Sequence, residues 1–222
     1  MKAAFPWAAV LAALLWPSGA AAITGDEIIE RVRERFAKAR TYEARFEKRF
    51  YWAVLDKELS RQGRIYTHRP GRFRVQIEDG DLVVADGEAI WAYSKANGQV
   101  IVSDYDGVVL QTPWEVLVKY ADSYRPVAVE RVDLDGREVY LLTLQPMEDV
   151  PPGMRMERMR LWVQEKDWRL LRIEQVESED NISTYILSGH RRNKGLDDDL
   201  FRFTPPEGTE IIDRRPPPPA AP

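Results

Sequence analysis

The sequence predicts a mainly β protein: one large antiparallel sheet of about eleven strands, covered by two amphipathic helices. Three observations carry that expectation. Apolar and charged residues alternate from Tyr42 to Trp52 and again from Arg72 to Glu78. Tight-turn dipeptides recur at hairpin spacing, namely Asp79-Gly80, Asp86-Gly87, Asn97-Gly98 and Asp135-Gly136. Helical periodicity is confined to two stretches, 25–38 and 112–121.

The 222-residue chain opens with Lys2, an apolar run from Ala3 to Leu15, and Ala20-Ala21-Ala22. A charged start, an apolar stretch too short to span a bilayer and an A-x-A site read as a secretory signal peptide over residues 1–22. Cleavage after Ala22 leaves residues 23–222, a length suited to one domain. Thr24 followed by Glu27 makes a capping box, with Asp26 and Glu27 at the positive end of the helix dipole. Ile28, Ile29, Val32 and Phe36 then share a helical face, and Glu30, Arg31, Glu34, Arg35 and Lys38 occupy the other.

The period changes near Ala39. The even positions from Tyr42 to Trp52 carry Tyr42, Ala44, Phe46, Lys48, Phe50 and Trp52, so this is a long strand with one apolar face. Strands follow at Ser60–Thr67, Phe73–Ile77, Leu82–Ala85, Ala89–Tyr93 and Val100–Ser103. Thr112-Pro113-Trp114-Glu115 is a second capping box with proline at the first helical position, and Trp114, Leu117, Val118 and Ala121 share a face. After this mid-chain helix come strands at Val127–Val132, Val139–Leu144, Arg158–Gln164, Leu170–Val176, Ser183–Gly189 and Phe201–Phe203. Residues 214–222 are proline-rich and read as a disordered tail, which leaves 23–213 as the folded domain. A sheet this long must curl or close. From the residues alone its interior has two readings: bulky side chains fill it, or the helices lid an apolar cavity that receives a ligand.

Several functions are excluded. The chain has no cysteine, hence no disulfide, thiolate metal site, cysteine nucleophile or lipidated N-terminal cysteine. No later segment reaches the length of a membrane-spanning helix. An exported chain of formal charge −4 is a poor nucleic-acid binder. G-x-S-x-G, H-E-x-x-H and phosphate-cradling glycine motifs are absent. His68 and His190 read as surface residues at strand ends, and Asp197-Asp198-Asp199 as a solvated turn. No catalytic residue, metal ligand or cofactor is predicted. Arg61, Arg64, Arg69, Arg72 and Arg74 read either as a solvated strand face or as a positive stripe for docking an acidic partner.

Arg69-Pro70-Gly71-Arg72-Phe73-Arg74 resembles the R-P-x-x-F-R element of the periplasmic outer-membrane lipoprotein carrier family, the LolA-like proteins. Val84-Ala85-Asp86-Gly87 with Ile90-Trp91-Ala92-Tyr93 resembles that family's V-S-D-G-x-x-x-W-x-Y hairpin. Phe201-Arg202-Phe203-Thr204-Pro205-Pro206-Glu207-Gly208 resembles its F-x-F-x-P-P-x-G close. The turn Glu78-Asp79-Gly80-Asp81 is shorter than the family's hairpin there, and the proline tail is not a family feature.

The resemblance implies an incomplete antiparallel β-barrel lidded by the N-terminal and mid-chain helices, with a cavity for acyl chains. It implies a periplasmic carrier and no enzyme. The implied partners are acylated lipoproteins, an inner-membrane ABC-type lipoprotein release complex and an outer-membrane receptor lipoprotein, and a monomer is expected. The alternative is a general lipid-binding or lipid-sensing protein of the same shape. For the cavity the alternating apolar positions Phe46, Phe50, Trp52, Phe73, Val75, Ile77, Trp91 and Tyr93 are expected, subject to the register that decides which face points inward. From the lid helices Ile28, Val32, Phe36, Trp114, Leu117 and Val118 are expected. Each of these could equally be plain core. Arg69 matches a family arginine that resembles a latch onto lid carbonyls, a role its five guanidinium donors suit.

Overall fold

A computed structural model of the chain describes residues 23–105, 123–148, 150, 155–177 and 181–215. They contain one α-helix, α1 (Gly25–Ala37), and twelve strands. The first six strands are β1 (Thr41–Trp52), β2 (Lys57–His68), β3 (Arg72–Ile77), β4 (Leu82–Ala85), β5 (Ala89–Ser94) and β6 (Gln99–Asp104). The other six are β7 (Tyr124–Asp133), β8 (Glu138–Pro146), β9 (Arg158–Gln164), β10 (Leu170–Val176), β11 (Ile182–Arg192) and β12 (Glu210–Asp213).

All twelve form one sheet in the order β12-β6-β5-β4-β3-β2-β1-β11-β10-β9-β8-β7. Two hairpin series, β1 to β6 and β7 to β11, join where β11 returns to pair with β1. The sheet ends on β12 and β7, which do not pair with each other, so it is open and not a closed barrel. Buried residues of both series nevertheless share one cluster with the helix: Phe46, Ile65 and Val75 from the first, Leu142, Leu161 and Ile173 from the second, Ile28 and Val32 from α1. Strands so distant in the sheet order meet only because the sheet curls around the helix.

The start of α1 follows the capping expectation. The Glu27 amide donates to Thr24 Oγ1 at 3.2 Å, and the Thr24 amide donates to Glu27 Oε2 at 2.8 Å. Gly25 lets the first turn sit directly on β7, because a Cβ there would lie 2.3 Å from Pro126 Cβ. Ile28, Ile29 and Val32 are buried, and Phe36 meets Tyr42 edge-on at 5.4 Å.

Some expectations fall outside the described residues, and others are corrected by the structure. The signal peptide, the mid-chain helix with Trp114, Leu117 and Val118, and the tail from Pro216 lie outside the described residues. Phe201–Phe203 is not a strand. Asp198–Phe201 forms a 3-10 turn whose Asp197 side chain accepts the Asp199 amide at 3.0 Å, and Pro205 and Pro206 then offer no ladder donors. The last strand is β12, and it runs parallel to β6, so the sheet is not a pure antiparallel meander. The strand expected at Ser60–Thr67 extends through Lys57–His68. With β1 it makes a hairpin of twelve residues per strand, paired from Thr41 with His68 to Trp52 with Lys57. β3 pairs with β2 only from Gly63 onward, so the outer end of that hairpin projects beyond its neighbour.

Candidate functional site

Cross-strand pairing fixes which side chains share the helix-covered face. Phe46 stands opposite Gly63 on one side and Leu187 on the other. Val75 faces Ile65, which faces Ala44, and Phe73 faces Ala85, which faces Ile90. Ile77 lies opposite Gly63. Phe46, Phe73 and Val75 are buried in the same cluster as Ile28 and Val32, with Phe36 and Ile77 packed at its margin. The structure therefore brings the predicted residues of β1, β3 and α1 onto one face.

Along β1 this face passes out from under the helix. Phe46 is 8% exposed, Phe50 is half-buried and Trp52 is 42% exposed. Leu59, opposite Phe50, is 49% exposed. Between the covered and open parts stands a cationic row, Lys48 opposite Arg61, with the Lys48 ammonium over the Tyr185 ring at 5.3 Å. This face is thus covered by α1 at one end and open to solvent at the other, where Phe50, Trp52 and Leu59 lie.

Trp91 and Tyr93 do not join this face. Their cross-strand partners are Val84 and Leu82, and Val84 in turn faces Arg74 on the opposite side of the sheet. There Phe203 packs on both aromatics, at 6.2 Å from Trp91 and 5.7 Å from Tyr93. Asp86 orients Trp91: it accepts the Trp91 indole N–H at 3.0 Å and the Glu88 and Ala89 amides at 2.8 and 2.9 Å. Arg72 binds Asp198 at 2.8 Å and lies over the buried Phe201 ring, while Arg74 donates to the Leu200 carbonyl. Arg72 and Arg74 of the first motif, Trp91 and Tyr93 of the second and Phe201 and Phe203 of the third thus meet on the outer face, where they hold the C-terminal segment. The sequence missed this because Val84, Val100 and Val102 are buried there too, so both faces of β4 to β6 are apolar.

The arginines read as a stripe are divided. Arg61 lies on the inner side opposite Lys48, bridged to Asp79 and Asp81, while Arg72 and Arg74 are engaged on the outer face. Asp198 lies in the exposed turn expected of Asp197–Asp199 and is in addition the partner of Arg72.

Arg69 lies at the end of α1. Its Nη1 donates to the Ala37 carbonyl at 3.5 Å. A second arginine, Arg192 of β11, donates to the Arg35 carbonyl at 3.4 Å. Both serve carbonyls that a helix leaves unsatisfied at its C-terminus. Arg192 had no signal in the sequence, because it is adjacent to α1 only through the β1–β11 pairing. Beneath this end, His190 is not a surface residue: its Nδ1 and the Tyr42 hydroxyl share a hydrogen bond, and its Nε2 is buried without a partner. Burial, reinforced by Arg169, pulls the His190 pKa down to about 4. Burial likewise pushes the Tyr42 phenol well above its usual range. Among the described residues no group of three His, Asp or Glu side chains could hold a metal ion.

The chain has recognisable relatives among known proteins. Residues 37–204 match the family model for outer membrane lipoprotein carrier protein LolA. The chain is 30% identical over 183 residues to the outer-membrane lipoprotein carrier protein of Nitrosomonas europaea, covering 79% of this chain and 84% of that one. It is 28% identical over 213 residues to the carrier of the same name from Chromohalobacter salexigens, covering 94% and 97%. The crystal structure of an uncharacterized conserved protein from Thermus thermophilus superimposes with a TM-score of 0.56 at 17% identity, covering 85% of this chain and 98% of that one. That last likeness is one of fold.

Proposed function

Because the chain belongs to the outer membrane lipoprotein carrier family, LolA, we propose that it shields lipoprotein acyl chains on the inner face of its sheet and ferries them across the periplasm from the inner to the outer membrane. As a member of a carrier family it is a binding and transport protein, not an enzyme. The observation that supports the ferrying role is the apolar face that runs from beneath α1 to the half-exposed Phe50 and the exposed Trp52 and Leu59.

The physical need is large. An acyl chain of roughly fifteen methylenes costs on the order of 12 kcal/mol to expose to water, at ~0.8 kcal/mol per CH₂. Contacts with Phe50 and Ile77, and with Phe46, Phe73 and Val75 once α1 moves off them, offset that cost without directional groups, so cargoes of different shape are tolerated. Release requires that the grip not be too strong, and energy for extraction comes from outside the carrier. An inner-membrane ABC-type release complex is the loading partner in this reading, and an outer-membrane receptor lipoprotein the acceptor. Arg69 holds the end of α1 as a latch.

The test is a release assay in which purified protein is added to spheroplasts of the source bacterium and the soluble fraction is weighed by native mass spectrometry. One acylated lipoprotein per chain is the expected result. Free phospholipid or fatty acid alone would indicate a general lipid binder, and an empty protein would overturn the carrier reading.

A further inference from the structure

The outer end of the β1–β2 hairpin carries exposed apolar residues that neither the core nor α1 uses. Trp52 is 42% exposed, Val54 70%, Leu55 56% and Leu59 49%. Val54 and Leu55 occupy the 3-10 turn Ala53–Leu55, and Asp56 closes it in the left-handed conformation at φ 46. The turn is held in shape. Tyr51 donates its hydroxyl to Asp56 Oδ1 at 2.9 Å, and the Ala53 amide donates to Asn181 Oδ1 at 3.1 Å. An ordered tip that spends four large apolar side chains on solvent is a contact surface.

Its position fits that role. The turn lies about twelve residues, roughly 40 Å of strand, from the end of β1 that α1 covers. Lys57 to Arg61 of β2 pair with β1 alone, so this end stands clear of β3. Trp52 and Leu59 lie on the same face as Phe50 and Phe46, with the Lys48–Arg61 row between the tip and the covered part of that face.

We propose that this hairpin tip inserts into the interfacial layer of a lipid bilayer and delivers acyl chains onto the Phe50 side of the inner face. The proposal rests on the carrier reading and adds the membrane surface as a direct partner. A bilayer suits the tip better than a protein groove on two grounds. The apolar groups are convex and graded: aliphatic Val54 and Leu55 lie at the apex, and Trp52, a residue that prefers the headgroup level, lies one step behind. The flanking charges are already balanced within the protein. Arg49 is bound to Glu47 at 2.6 Å and Arg61 to Asp79 and Asp81 at 3.3 and 3.4 Å, while Lys57 is offset in formal charge by Asp56 and Glu58. Little net charge is left to match a charged partner, so attachment is apolar and independent of lipid charge and salt.

The test uses the mature chain with vesicles of phosphatidylcholine and, separately, of phosphatidylethanolamine with phosphatidylglycerol. The expected result is cosedimentation with both, unchanged when salt is raised, and weakened about tenfold or more in the Val54→Asp/Leu55→Asp variant. Because the chain has no cysteine, a bimane label on Val54→Cys is unique. Brominated lipid should quench it, but not the same label on Glu130→Cys of β7. Wild-type protein that ignores both vesicles, or a double variant that binds them equally well, overturns the proposal. Uptake of a fluorescent fatty acid from solution is measured in parallel. It should be equal in wild type and double variant, so its absence from both marks failure of the carrier reading rather than of the tip.

Discussion

Arg69 and Ala37 are separated by thirty-two residues, yet the guanidinium of the first reaches the carbonyl of the second at 3.5 Å, at the last turn of α1. Arg192 holds the Arg35 carbonyl from the other side at 3.4 Å. Two arginines from different strands therefore fix the same helix end. Each bond is long and solvent-accessible, so the combined Arg69→Leu/Arg192→Leu variant should lose no more than about 1 kcal/mol of stability. Its effect should be local. Amide exchange of residues 34–38 should quicken while α1's first turn, held by the capping box, stays protected. Unchanged exchange at 34–38 would show that these arginines do not hold the helix.

Gly63 lies beneath the Phe46 ring in the middle of the long hairpin. A Cβ there would lie 2.2 Å from the Gln76 backbone oxygen and 2.7 Å from the Phe46 ring. The ring could move, but the backbone of β3 could not without breaking its pairing with β2. Gly63→Ala should therefore destabilise the fold by about 2 kcal/mol or more, in contrast to the usual gain from removing a strand glycine. Urea denaturation of the variant checks it, and a midpoint at or above that of wild type would contradict the packing of Phe46 on Gly63.

Much of the fold was legible because local signals were unambiguous. Thr24 and Glu27 announced the helix start, and the even positions of β1 announced the buried face, since their odd neighbours Glu43, Arg45, Glu47 and Arg49 are all charged. The same reasoning failed at Trp91 and Tyr93. Their alternates Ile90 and Ala92 are apolar as well, so period two identified a strand without saying which side faced inward. Only the pairing of Trp91 with Val84, and of Val84 with Arg74, decides it. β12 was invisible for a different reason: four residues after a double proline carry too little pattern, and its parallel partner β6 lies more than a hundred positions away. Arg192 was missed because its role depends on a contact made across the sheet.

Burial of His190 makes a pH dependence. Its folded-state pKa is lowered to about 4 from 6.5, so between those values the unfolded chain binds a proton that the folded chain refuses. Stability is then fully present above pH 6.5 and is lost as pH falls toward 4, by an amount on the order of 3 kcal/mol. His190→Asn, whose amide can donate or accept near the Tyr42 hydroxyl, should flatten this dependence between pH 6.5 and 4. Urea unfolding at several pH values compares the two chains. Equal slopes would mean that His190 is protonated in the fold.

The opposite faces of the sheet give the sharpest contrast between binding and stability. Phe50 is half-buried on the inner face, past the helix, with Leu59 and Ser183 as its cross-strand neighbours. Phe50→Asp places a carboxylate where an acyl chain is to lie, but leaves no large cavity, because the site is already partly open. Affinity for a fluorescent fatty acid should fall about tenfold, and stability by no more than about 1 kcal/mol. Trp91→Ala should do the reverse. It removes the platform for Phe203 and the indole donor to Asp86, at a cost of about 2–3 kcal/mol, yet it touches nothing on the inner face. Fatty-acid titration and urea denaturation of both variants read the two effects separately. If Trp91→Ala lost affinity while Phe50→Asp kept it, acyl chains would lie on the outer face, against Phe203, and the receptor face described for β1 and β3 would be wrong.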